Sequence, residues 1–127
     1  MRRSFALLAA GAALAVPAGA QDAPALTLEQ TMQLRCAAAF ALVAGDQARG
    51  DPVALAYPAM KERGREYFVQ VGAQLMDALH LTPEQLAVRV QAEADTQRRA
   101  KAAAADPKAY TDGVMQPCLA GLEASGL

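Results

Sequence analysis

Two cysteines, one histidine and two serines are the residues of this 127-residue chain with the side chains most used for nucleophilic or soft-ligand chemistry. Cys36 and Cys118 stand 82 positions apart. No Cys-x-x-Cys occurs, so neither a thioredoxin-type redox pair nor covalent haem attachment is available. The reading left is one disulfide, with free thiols in redox or metal use as the alternative. A Ser-His-Asp or Cys-His centre would need His80 beside Ser125 or beside a free cysteine. His80 falls at the end of a helical stretch, where a cation meets the helix dipole favourably, and Ser125 is nearly C-terminal. Zinc asks for three or four Cys, His or carboxylate ligands, which the chain does not offer once the cysteines pair. Glu62 and Glu66 are spaced i,i+4 but alternate with Lys61, Arg63 and Arg65, the pattern of a solvated helix face. Phosphate-binding and dinucleotide-binding glycine patterns are absent. The expectation is a protein with no catalytic residues, no metal and no cofactor.

Two binding arrangements stand out. In Lys61-Glu62-Arg63-Gly64-Arg65-Glu66-Tyr67-Phe68 charge meets aromatics. Arg and Tyr are enriched at binding hot spots, so Arg63, Arg65 and Tyr67 form a candidate partner-binding face. Met32 and His80 form the second. If the helices bearing them run antiparallel, the start of one and the end of the other share a pole, where a Met and a His could hold a small ligand such as non-covalent haem.

The positioning elements follow from periodicity and caps. Arg2 and Arg3, the apolar run Phe5 to Val16, Pro17 and Ala18-Gly19-Ala20 have the order of a secretory leader, with cleavage expected after Ala20. A twelve-residue apolar helix spans about 18 Å, short of a hydrocarbon core of about 30 Å. Arg2-Arg3-Ser4-Phe5 also has the shape of a twin-arginine signal; ordinary unfolded export is the preferred reading. Thr27-Leu28-Glu29-Gln30 and Thr82-Pro83-Glu84-Gln85 are capping boxes. Helices are predicted over about 28–44, ended by Gly45, then 58–80, 83–105 and 107–124. The last carries a kink or break near 113–117, where Pro117 meets the carbonyl of Gly113. Asp51-Pro52 caps a short turn between the first two. The inward stripes are Leu28, Met32, Cys36, Phe40 and Val43; Met60, Gly64, Tyr67/Phe68, Val71 and Leu75; Leu86, Val90 and Ala94; and Tyr110, Val114, Cys118 and Leu122. The stretch 92–105 is alanine and charge, and is read as projecting into solvent or covering a thin core. Gly64 and Gly72 flank Phe68, as close helix packing or an approach for a ligand requires.

No segment alternates with period two. The fold class is all-α: one domain over 21–127, about four helices, with Cys36–Cys118 joining the first to the last. Without the leader, 107 residues remain with ten Lys+Arg and thirteen Asp+Glu, a charge of −3. Neither that charge nor the −1 of the whole chain favours nucleic acid. Of 54 hydrophobic residues in that stretch 24 are Ala, so helices form easily but bury little apolar area. A disulfide closing so long a loop contributes about 4–5 kcal/mol in the chain-entropy model, comparable to the whole stability of a small domain.

The leader, Met32-Gln33-Leu34-Arg35-Cys36-Ala37-Ala38-Ala39-Phe40, the stretch Tyr57 to Asp77, and Val114-Met115-Gln116-Pro117-Cys118-Leu119 together resemble a group of small exported helical proteins of alpha-proteobacteria. The resemblance implies export, helices and the disulfide. In architecture alone, the chain is loosely similar to periplasmic acid-stress chaperones, whose chains are shorter and whose cysteines lie closer together. The functional expectation is a non-enzymatic periplasmic protein that binds another protein or stabilises envelope components. A small-ligand or haem carrier using Met32 and His80 is the alternative. No membrane span is expected after leader removal, and the sequence sets no oligomeric state.

Overall fold

The computed structural model describes residues 25–127, so the leader and its cleavage point lie outside the described residues. Four α-helices follow in order: α1 Leu28–Ala48, α2 Met60–Leu79, α3 Pro83–Ala103 and α4 Pro107–Ala124. A short 3-10 turn, Ala54–Ala56, lies between α1 and α2, and no strand occurs among the described residues. Both capping boxes form: Thr27 and Thr82 accept from the backbone N–H of Gln30 and Gln85, whose side chains accept in return from the cap N–H groups. Asp106 caps α4 through the Ala109 N–H.

The helices run up and down around α1, which packs against all three others. Gln33 bonds Gln74, while further along α1 Phe40 meets Tyr67, so α2 is antiparallel to α1. Cys36 is bonded to Cys118, tying the middle of α1 to the second half of α4. The central position of α1 explains why its burial is not a stripe. Cys36, Ala37, Ala38, Ala39 and Phe40 are consecutive and all buried, as befits a helix with neighbours all round. Leu28, expected inward, is 80% exposed, and Leu26 just before the helix packs against the core instead.

Several boundaries differ from expectation. Gly45 lies inside α1, which continues to Ala48. The left-handed residue that follows the helix is Gly50, at φ +77°. Pro58 stands outside α2, which begins at Met60 after Ala59, and α3 ends at Ala103 rather than 105. No break occurs at 113–117: Pro117 sits within one continuous α4. Gly113 and Pro117 are exposed, so the carbonyl that loses its N–H partner is left to solvent.

The glycines of α2 serve packing. A Cβ on Gly64 would stand 3.0 Å from the Phe40 Cβ, and one on Gly72 3.0 Å from the Leu86 Cδ2. Removing those carbons brings α2 against α1 and α3, where Phe40 lies edge-on to Tyr67 with ring centroids 5.1 Å apart.

Candidate functional site

A cleft of about 440 Å³ opens between the C-terminal halves of α1 and α3 and the first half of α4. Each helix supplies one kind of surface. From α1 and α4 come the apolar walls, Leu42, Val43, Tyr110, Val114 and Met115. Val43, Val114 and Met115 are core residues, so the floor of the cleft is the rim of the hydrophobic core. Asp46 of α1, Arg49 just after it, and Arg98 and Lys101 of α3 supply the charged edge. The stretch 92–105 was expected to stand in solvent or over a thin core; only Ala94 and Gln97 are buried in it, and Gln97, Arg98, Lys101 and Ala102 line one wall of the cleft.

Gln97 is the pivot of that wall. It is buried, and its Nε2 donates to the Arg35 carbonyl and to the Glu93 carboxylate, both at 2.9 Å. Both donor hydrogens of the amide are therefore committed. At the edge, Asp46 accepts from Arg49 on one oxygen and from Lys101, at 3.5 Å, on the other. Arg98 pairs with Asp95 at 2.7 Å. Asp51 stands just outside the lining. Its carboxyl is held below the usual carboxylate range first by the Ala54 N–H it accepts, then by the Val53 N–H, with the charges of Lys101 and Arg49 adding to this. The lining thus presents three cations against one carboxylate, and that carboxylate already accepts from two of them.

The sequence-predicted candidates are placed differently. Cys36 and Cys118 form the disulfide and hold α1 and α4 together within one turn of Ala39 and Met115, which line the cleft. The Arg63, Arg65 and Tyr67 face is not a face: Tyr67 turns into the core, 8% exposed against Phe40. Arg63 is engaged by Glu123 at 2.8 Å and by the Leu127 backbone oxygen at 2.5 Å. Only Arg65 is an exposed member. The aromatic of the expected hot spot is taken by the α1–α2 contact.

Met32 and His80 do share a pole, as the antiparallel pairing of α1 and α2 requires. Met32 packs half-buried against the core, and His80 is exposed at the end of α2 in the left-handed conformation, φ 52°. Neither lines the cleft, which opens on the other half of α1. His80 and Ser125 lie apart as well. Glu123 and Leu127, which bracket Ser125, meet Arg63 at the start of α2, and His80 follows at its far end, about 25 Å of helix away. Ser125 Oγ instead donates to the Leu122 carbonyl at 2.6 Å. Among the described residues no three His, Cys, Asp or Glu gather as a metal site, and no helix is long and apolar enough to cross a membrane.

Sequence reasoning missed Gln97, Lys101 and Asp46 as one site. The available signal was the polar continuation of the α3 stripe, Ala94, Gln97, Lys101, on a face that has to turn toward α1. No protein-family model, curated protein or solved structure matches the chain.

Proposed function

We propose that this chain is a non-enzymatic, exported helical binding protein that carries a small ligand in the α1–α3–α4 cleft. The observation that carries the reading is the cleft itself: about 440 Å³, floored by core side chains and edged by polar groups on one side. Ligand clefts run about 300–1,000 Å³, mostly apolar with a few convergent polar groups. The small-ligand reading thereby moves from Met32 and His80 to the opposite half of α1. It stands ahead of the protein-partner reading, whose proposed hot spot has its tyrosine in the core. Export rests on the leader pattern of residues 2–20, with which a long-range disulfide is compatible.

Native mass spectrometry of the protein recovered from a periplasmic extract tests this. The expected species begins at Gln21 and carries a small-molecule adduct that the cleft-filling variant Ala102→Trp lacks. A bare protein, or one bound in fixed stoichiometry to a second protein, contradicts it.

A further inference from the structure

We infer that the cleft selects an anionic amphiphile, a carboxylate on an apolar body, with its head against Lys101 and Arg98 of α3 and its body against Leu42, Tyr110 and Pro107, above the buried floor of Val43 and Met115. This rests on the cleft being the binding site and adds the chemical class of what it takes.

The argument is one of complementarity. A group entering at the α3 edge meets N–H donors: Arg49, Arg98 and Lys101 face the opening, and the one carboxylate of the lining, Asp46, is already shared between Arg49 and Lys101. Asp95, outside the lining, takes one N–H of Arg98 and leaves the rest of its five-donor fork. Lys101 is the most loosely held of the three. Its one ion pair is at 3.5 Å, and an ammonium has three donors. A cationic ligand would meet three like charges, and the carboxylates nearest them are engaged: Asp46 by Arg49 and Lys101, Asp95 by Arg98, and Asp51 by the Val53 and Ala54 N–H groups. A neutral polar head would leave the donors incompletely used. A carboxylate satisfies them with charge-assisted bonds, roughly twice as strong as neutral ones.

The body of the ligand follows from the opposite wall. Over a floor of Val43, Val114 and Met115 that is already buried, the apolar surface still open in the cleft is that of Leu42, Tyr110 and Pro107. A rigid, highly polar ligand would leave that wall unmatched, whereas an aliphatic or aromatic body removes it from water. A volume near the lower end for ligand clefts limits the body to a short or medium chain.

Titration calorimetry of the disulfide-intact protein with decanoate, decanol and decyltrimethylammonium, each below its aggregation concentration, is the test. Decanoate is expected to bind about tenfold or more tightly than decanol, and the cation not at all. Lys101→Met is expected to lower the ratio of decanoate to decanol affinity about tenfold, and Lys101→Arg to restore it. Equal binding of decanoate and decanol would overturn the assignment of an anionic head and leave the apolar cleft standing. Binding of none of the three would overturn both. A decanoate preference unchanged in Lys101→Met would remove Lys101 from the recognition of the head.

Discussion

Gln47 uses both ends of its amide to hold the backbone between α1 and α2. Its Nε2 lies 3.0 Å from the Ala54 carbonyl, 3.2 Å from that of Tyr57 and 2.9 Å from that of Pro58, and its Oε1 accepts from the Met60 N–H at 3.0 Å. Three carbonyls share two donor hydrogens, so the contact is bifurcated. Gln47→Ala is expected to lower stability by about 1–3 kcal/mol, because it leaves part-buried carbonyls without donors; urea unfolding measures it. Nothing in the type or spacing of Gln47 announces this role, since its partners are backbone atoms up to thirteen residues on. The helical glycines were legible, and they separate in their consequences. Gly64→Ala meets the Phe40 Cβ, which is fixed to the backbone, and is expected to cost about 1–3 kcal/mol of packing against a smaller gain in helix propensity. Gly72→Ala meets only the far end of the Leu86 side chain, so its loss is expected to be clearly smaller in the same assay.

The connection from Arg49 to Ala59 is the element whose order depends on ionised groups. Asp51 caps its 3-10 turn, and at its far end the Tyr57 hydroxyl donates to Asp112, which also accepts from Lys108 at 2.6 Å. Asp112 is held below the usual carboxylate range first by Lys108 and then by Tyr57, and Asp51 is lowered too. For carboxyls lowered in the folded chain, the stability they contribute is present above their unfolded value of about 4. It is lost as the pH falls through the lower folded values. Protection of the backbone amides of residues 51–57, taken relative to the intrinsic exchange rate at each pH, is therefore expected to fall below about pH 4, before the helices open; uniform loss of protection would contradict this. Tyr57 runs the other way. Burial, helped by Asp112, pushes its hydroxyl up to about 12. Its contribution is complete below about pH 10 and is lost as the pH rises toward that value. A tyrosinate absorbance step near 12 should disappear in Tyr57→Phe. The Asp51-Pro52 cap was visible in the sequence; the Tyr57–Asp112 contact was not, because 55 positions separate its partners.

At the scale of the molecule, α1 is the axis and the disulfide ties α4 to it. Cysteine number, long separation and helical phase made the Cys36–Cys118 link and the four-helix class readable. What could not be read was which helix sits at the centre: Cys36 to Phe40 is apolar all round, so periodicity gives no direction, and the cleft depends on that placement. Double replacement of Cys36 and Cys118 by Ala is expected to lower stability by up to about 4–5 kcal/mol, read by denaturant unfolding, with no free thiols titratable in the unreduced, denatured parent. The central claim, that ligand enters between α1, α3 and α4, separates cleanly from the two sites the sequence suggested. Amide and methyl chemical-shift mapping with decanoate reads all three at once. Shifts concentrated at Leu42, Val43, Lys101, Tyr110 and Met115 are the predicted result; shifts gathered at Met32 and His80, along Arg63 to Tyr67, or nowhere, would contradict it.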